Sequence, residues 1–304
     1  LDEANIPLLV IAGPTASGKT SLAIDLAIEC DGEIVSADSM QVYRGMDIAT
    51  AKPSIEETRG VPHRLLGFVE PDERFSVAQY APLAHAAIQE ITSRGKLPIL
   101  CGGTGLYIQA VTENLTLTEG ELAQGNTGTW RELQAIDPAA AANIHPNDQK
   151  RISHALALYH STGVTLTEQN LRSRRTPSPY AARMIFLNAR ERQCLYERID
   201  KRVDQMLGMG LLEEASSQRQ EAGSTAAQAI GYKELEPYFL GQCALEEAVE
   251  GLKRETRRYA KRQLSWFRRM AREWNGRKPG SCAELYIEDK NLLEQALEFA
   301  EVRR

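Results

Sequence analysis

The chain has 304 residues, 42% hydrophobic and 25% charged, with a net charge of −5. That balance supports a full-sized core with two domains, or one domain with an insertion, and excludes a disordered or uniformly basic chain. Cys30, Cys101, Cys194, Cys243 and Cys282 are scattered and form no C-x-x-C pair, which excludes a disulfide scaffold or cysteine-based zinc site and points to the reducing cytoplasm.

The first third alternates short β-rich runs with helical stretches. The acidic opening, LDEANIPLLVIAG, has no signal-peptide pattern, and no apolar run reaches the roughly eighteen residues of a membrane span. Residues 6–12 read as a buried strand, 13–18 as a glycine-rich turn and 20–29 as a helix. A second strand is expected at 32–36, a helix at 75–94 broken early by Pro82, and a third strand at 97–101 that ends at Gly102-Gly103. This alternation predicts an α/β fold, a parallel sheet covered by helices. The middle differs. Residues 112–129 lack a clear period, short helices are expected at 130–135, 138–143 and 148–162, and 172–180 (RSRRTPSPY) reads as a basic loop. The run 184–188 is expected to return to the sheet. The domains are therefore expected as a core of 1–112 and 181–304, with a small all-helical insertion at 113–180. The remainder is mostly helical. Leu195, Ile199, Val203 and Leu207 mark one buried stripe over 191–207, the longest helix is expected at 246–274, and 291–303 closes the chain after a strand fragment at Tyr286-Ile287.

Gly13, Pro14, Thr15, Ala16, Ser17, Gly18, Lys19 and Thr20 match G-x-x-x-x-G-K-[ST] in full, with a strand before and a helix after. The glycines let the backbone turn so that its N–H groups converge on phosphate oxygens, Lys19 adds a point charge, and the Thr20 hydroxyl is suited to Mg²⁺. A phosphate cradle does not name its ligand. An ATPase or GTPase usually shows an apolar strand ending in a Mg²⁺-binding Asp. Here the third strand ends in Cys101-Gly-Gly-Thr104-Gly, and the best acid is Asp38, after the second strand. Ligands of open parallel sheets gather at the carboxyl ends of the strands, so Asp38 and Thr104 are expected near the cradle. Each also reads as a turn or cap residue.

From Lys253 to Trp274 nine basic side chains face only Glu255 and Glu273, a net +7, which leaves −12 for the rest of the chain. Arg254, Arg257, Arg258, Lys261, Arg262, Arg268, Arg269 and Arg272 recur at helical spacing, interleaved with Tyr259, Trp266, Phe267 and Trp274. Such a stripe suits a phosphodiester backbone; the bland reading is a solvated helix face with its aromatics in the core. His63, His85, His145, His154 and His160 show no zinc-ligand spacing.

Six ordered motifs, GPTASGKT, ADSMQVYRGMDIATAKP, CGGTGLYI, IHPNDQKRISHAL, AIGYKEL and RRYAKRQLSWFR, resemble the bacterial tRNA dimethylallyltransferase family over most of the chain. The resemblance implies a P-loop core that binds dimethylallyl diphosphate with Mg²⁺ instead of ATP. It implies transfer of the dimethylallyl group to N6 of adenine-37 in tRNAs reading codons that begin with U. Asp38, Thr104 and Lys19 would be catalytic, with Asp38 the general base. Ser39, Met40 and Gln41 would help hold the flipped base. Lys150, Arg151, His154, Gln228, Tyr232, Lys233, Arg257, Arg258, Lys261, Arg262 and Arg268 would contact the tRNA, and the insertion would clamp the anticodon stem. A monomer is expected. The chain departs from the family where it runs about a dozen residues short after 115–119, and where the usual Arg-Ala-Leu-Glu reads His154-Ala-Leu-Ala157. Two other readings compete: an adenylate isopentenyltransferase acting on free AMP, ADP or ATP, and a P-loop kinase or ATPase that binds RNA. The basic helix favours the tRNA reading over the free nucleotide.

Overall fold

The computed structural model describes residues 6–117, 128–218, 226 and 229–300. The elements in chain order are β1 (Ile6–Ala12), α1 (Lys19–Glu29), β2 (Gly32–Ser36), α2 (Ile55–Thr58), β3 (His63–Arg64), α3 (Val77–Ser93), β4 (Leu97–Gly102) and α4 (Gly105–Thr112). Four helices follow: α5 (Trp130–Ile136), α6 (Pro138–Asn143), α7 (Gln149–Thr162) and α8 (Leu166–Ser173). Then come β5 (Tyr180–Asn188), α9 (Arg192–Gly208), α10 (Leu211–Gln218), α11 (Tyr232–Phe239), α12 (Leu245–Arg277), β6 (Cys282–Tyr286) and α13 (Leu292–Ala300). The chain divides into one unit of Leu1–Phe75, Pro82–Ile108 and Pro179–Arg304, and a second of Ser76–Ala81 and Gln109–Ser178.

The first unit is an α/β fold around a six-stranded sheet of order β3-β2-β4-β1-β5-β6. Every strand pair is parallel, with Ala12 opposite both Gly102 and Phe186, and Ser36 opposite Cys101. β1 is apolar throughout (IPLLVIA) because both faces of a parallel sheet are covered. On one face, Leu9, Ile11, Ile34, Ile99 and Ile185 pack with Leu22, Leu26 and Ala27 of α1 and Ala296 and Ala300 of α13. Phe186 of β5 meets Phe267 of α12 with ring centroids 5.9 Å apart. A separate cluster holds Val42, Tyr43 and Met46 with Val203, Leu211, Tyr232, Leu235 and Leu252, so the segment after β2 is seated on α9 to α12. At the amino edge of the sheet the buried Glu33 carboxylate takes two bonds from Arg94, at 2.7 and 2.8 Å.

The second unit has its own small core of Leu133, Ala140, Ala141, Ile144, Ile152, Ala155 and Leu156. Asp137 caps α6 through the Ala140 N–H and also accepts the Thr167 N–H (2.8 Å) and hydroxyl (2.6 Å), which ties α6 to the start of α8.

Three local expectations change. The strand fragment expected at Tyr286-Ile287 lies earlier, as β6, and pairs with β5 from Cys282 to Tyr286. α3 runs through Pro82 without a break, because only the first turns precede the proline and little of the helix ladder depends on its missing donor. The expected loop 172–180 is partly regular: Arg172 and Ser173 end α8, and Tyr180 opens β5. Thr165 starts α8 by accepting the Glu168 N–H, a Thr-x-x-Glu signal in the sequence.

Candidate active site at the carboxyl edge of the sheet

The turn between β1 and α1 has a wound backbone. Ala16 and Gly18 both have positive φ, 63° and 82°, and Gly18 precedes the first helical residue, Lys19. Ser17 is buried, and its hydroxyl has no hydrogen-bond partner. Lys19 Nζ lies 3.4 Å from the Pro14 carbonyl oxygen. Desolvation pulls its pKa down, and the Asp38 carboxylate draws it partly back up. Thr20 follows in the first turn of α1, half-buried. This is a loop with a half-buried cation and an unsatisfied hydroxyl, the donor-rich surroundings a phosphate group seeks.

Asp38 and Thr104 are brought to this edge by β2 and β4. The Ala37 N–H donates to Cys101 (2.8 Å) and the Thr104 N–H donates back to Ala37 (3.1 Å), so the two strand ends are sewn together. Gly102 is required there, since a Cβ would sit 2.1 Å from the Ala37 carbonyl oxygen. Asp38 Oδ1 accepts the Met40 N–H at 3.0 Å, and its charge is felt at Lys19, Arg202, Tyr107 and Tyr259. Thr104 accepts the Ser39 N–H (3.0 Å) and donates to Ser39 Oγ (3.2 Å). Thr104 therefore fixes the residue next to Asp38. Gln41 is also engaged: its Nε2 donates to Thr50 O (3.1 Å) and Ala51 O (3.2 Å), and its Oε1 accepts Ser36 Oγ. From α12, Gln263 accepts the Thr15 N–H at 2.8 Å and donates to Gly103 O at 2.9 Å. Tyr259, one turn earlier, is hydrogen-bonded to Thr104 and Gln263, and burial pushes its phenol pKa up.

Residues 41–270 match the IPP transferase family, and residues 6–66 match the isopentenyl transferase family. The chain belongs to the IPP transferase family. A tRNA dimethylallyltransferase of Thermoanaerobacter sp. is 47% identical over 280 residues, covering 86% of this chain and 89% of that one. The solved tRNA isopentenylpyrophosphate transferase of Bacillus halodurans superposes with a TM-score of 0.69 at 39% identity, covering 97% of this chain and 95% of that one. A eukaryotic dimethylallyltransferase, solved acting on tRNA, gives a TM-score of 0.80 at 28% identity, over 96% and 77% of the two chains.

For an IPP transferase the positions of the expected RNA contacts matter. On α12, Arg258, Lys261, Arg262 and Arg268 are exposed, and Arg254, Arg269 and Arg272 extend the same stripe. The Arg269 guanidinium lies 4.8 Å from the centre of the Trp266 ring. Two of the expected contacts are engaged inside the fold. Arg257 is bound through one nitrogen to both Asp200 oxygens (2.6 and 2.7 Å), joining α12 to α9. Tyr232 is 6% exposed, with its hydroxyl donating to Glu214 at 3.1 Å. Lys233 is half-exposed beside Glu234. Lys150, Arg151 and His154 are exposed on α7 of the second unit, Arg151 paired with Asp148 at 3.3 Å. Gln228 lies outside the described residues, as do residues 118–127, where the chain is expected to run short.

Sequence reasoning missed Arg198, Arg202, Gln263 and Glu214. Arg198 Nε donates to the Ala16 carbonyl at 2.9 Å, so α9 lays a second cation on the cradle. Burial lowers the pKa of Arg202, one turn on, against the attraction of the Asp38 and Glu57 charges and with a further push from Arg198. Their signal was an i, i+4 arginine pair flanking the Leu195–Ile199–Val203 stripe. Gln263 had a weaker signal, an uncharged polar residue at a buried position within a run of bases. Among the described residues no helix is long and apolar enough to cross a membrane, and no three His, Cys, Asp or Glu side chains gather as a metal site.

Proposed function

We propose that this protein transfers the dimethylallyl group of dimethylallyl diphosphate to the N6 amine of the adenine at position 37 of tRNAs reading codons that begin with U. The observation that carries the reading is the meeting, at one sheet edge, of a lysine-bearing phosphate loop and the Asp38 carboxylate, whose charge acts directly on Lys19. The diphosphate would be held by the N–H groups of Ala16, Gly18, Lys19 and Thr20, by the Lys19 ammonium, and by Arg198 and Arg202. These groups neutralise the oxygens on which charge develops as the allylic C–O bond breaks, the largest effect available to a preorganised site. Asp38, steered by the Met40 N–H and by the Thr104–Ser39 contact, would take one proton from the amine as the C–N bond forms. The electron pair of the C–O bond leaves with diphosphate, so atoms and charge balance. An adenine amine is a weak nucleophile, and a base of this kind typically contributes about 10²–10⁴-fold.

The residues fit Mg²⁺ as an ion shared with substrate. Thr20 supplies a hydroxyl at the start of α1 and Ser17 an unpartnered buried one, while no carboxylate cage competes among the described residues. An ion of this kind typically completes its shell with substrate phosphates and water. When bound, it adds Lewis-acid neutralisation of the leaving diphosphate. The exposed stripe of α12 supports an RNA acceptor over a free nucleotide, because a mononucleotide presents too few phosphates to use it. The target base must leave its stack to reach a carboxylate set at a strand end. The helical unit, with Lys150, Arg151 and His154 exposed on α7, would grip the anticodon stem.

The test is transfer of labelled dimethylallyl diphosphate, with Mg²⁺, to unmodified tRNA of this class, with AMP as a parallel acceptor. Label on tRNA alone supports the reading. Label on AMP alone would replace the acceptor, and ATP hydrolysis stimulated by tRNA without transfer would replace the reaction.

A further inference from the structure

Glu214 of α10 has no part in the chemistry above, yet it makes four hydrogen bonds. Its Oε2 accepts the N–H groups of Asp47 (2.8 Å) and Ile48 (2.7 Å), and its Oε1 accepts the Ala49 N–H (2.9 Å) and the Tyr232 hydroxyl (3.1 Å). Three consecutive backbone donors converging on one carboxylate form an anion nest, here filled by the protein's own side chain. The same turn is gripped from its other side. The carbonyls of Thr50 and Ala51 accept Gln41 Nε2, while Gln41 Oε1 accepts Ser36 Oγ at the end of β2. Lys52 Nζ closes the turn on the Tyr43 carbonyl at 2.7 Å. A continuous line of hydrogen bonds thus runs from Glu214, through the 47–51 turn, to Gln41 and the residues flanking Asp38.

We infer that Glu214 is a positioning residue for the acceptor side of the reaction. It holds the 38–52 segment, and through it the Asp38 carboxylate, in the geometry needed at the amine. Tyr232 seconds it, which gives that buried tyrosine a role in place of an RNA contact. The inference rests on the transfer reading above. A carboxylate is required because four donors face two oxygens. Glutamine of the same shape brings one oxygen and an NH₂ group that opposes backbone N–H donors, so at least one amide loses its acceptor. The diphosphate cradle has its own fastenings, Gln263 and Arg198, so it stays in place when the turn loosens. Misplacement of a reacting group by about 1 Å costs about 10²-fold in rate.

The experiment compares wild type, Glu214→Gln and Tyr232→Phe in steady-state transfer to tRNA and in amide hydrogen exchange. Glu214→Gln should lower kcat by about ten- to a hundredfold with KM for dimethylallyl diphosphate within about twofold of wild type. Exchange should accelerate at 47–49 while the β1 and β4 amides keep their protection. Tyr232→Phe should show a smaller loss in the same direction. Unchanged kcat with Gln would overturn the inference, as would faster exchange spread over the whole sheet with both KM values raised, which marks a merely structural role. If wild type itself fails to label tRNA, the transfer reading fails. Exchange at 47–49 in the Gln variant then still decides whether Glu214 holds the turn; unchanged protection there refutes it.

Discussion

Gln263 joins the phosphate loop to the β4–α4 turn: its Oε1 accepts the Thr15 N–H at 2.8 Å while its Nε2 donates to the Gly103 carbonyl at 2.9 Å. The early part of the loop is thereby fastened to α12, the helix that carries the basic stripe. Leucine at this position would leave a donor and an acceptor without partners, at about 1–3 kcal/mol each. Gln263→Leu should therefore raise KM for dimethylallyl diphosphate by about tenfold, with tRNA affinity close to wild type. Titrating each substrate separately checks this; an unchanged KM would remove Gln263 from the cradle.

Asp38 separates two functions that one substitution can pull apart. Asn keeps an oxygen for the Met40 N–H and so preserves the turn, but it cannot accept a proton. Asp38→Asn and Asp38→Ala should both cut kcat by about 10²–10⁴-fold, with tRNA dissociation constants within about threefold of wild type by filter binding. Near-normal turnover by the Asn variant would show that the amine proton goes elsewhere.

Much of this site is legible in the sequence because it depends on local patterning. The strand–glycine–Lys–Thr run and the strand ends before Asp38 and Thr104 are contiguous signals, and the parallel sheet follows from their alternation with helices. What escapes is long-range pairing. Thr15 and Gln263 are 248 positions apart, and Asp47 and Glu214 are 167 apart. Nothing near either partner marks the bond. Arg257 shows the converse. In a basic run it reads as an RNA contact, and only the packing of α9 against α12 reveals Asp200 as its partner. Tyr232 has a hidden partner of the same kind, Glu214, because a motif fixes its position in the chain and not the direction of its hydroxyl.

Lys19 gives the cradle a pH dependence with a definite sign. Its pKa is lowered chiefly by burial. The protonated form is the one that attracts a diphosphate, and a bound anion pushes the pKa back up. Substrate binding should therefore weaken as pH rises through the lowered value, with proton uptake on binding in that range. Dimethylallyl diphosphate affinity measured across alkaline pH should fall in wild type and be flat in Lys19→Met. A wild-type profile as flat as the variant's would place the binding charge elsewhere.

The stripe on α12 predicts an electrolyte effect. Lys261, Arg262 and Arg268 are exposed, whereas Arg257 is held by Asp200. Each exposed base that meets a phosphate releases about one counterion. Single alanine variants at Arg262 and Arg268 should weaken tRNA binding and reduce the slope of log affinity against log salt by about one. Arg257→Ala should leave the slope alone and lower thermal stability instead, since it strands Asp200. Slopes unchanged from wild type at Arg262 and Arg268 would mean that the stripe faces solvent only.

Glu33 tests whether the two edges of the sheet act independently. It is 1% exposed at the start of β2, bound by Arg94, with Arg64 at 3.5 Å. The Arg94 hydrogen bonds hold its pKa below the ordinary glutamate value, against the opposing effect of burial. A carboxyl with a folded-state pKa below its unfolded value stabilises the fold above the unfolded pKa of about 4.3. That stabilisation is lost as pH falls through the lowered folded value. Glu33→Gln should therefore melt below wild type at neutral pH, and the two curves should converge in acid, where the wild-type carboxyl is protonated as well. The phosphate loop and Asp38 lie at the carboxyl ends of the strands, so kcat and both KM values at a temperature well below melting should match wild type. A kinetic defect in the folded variant would show that strain at the amino edge reaches the site through β2.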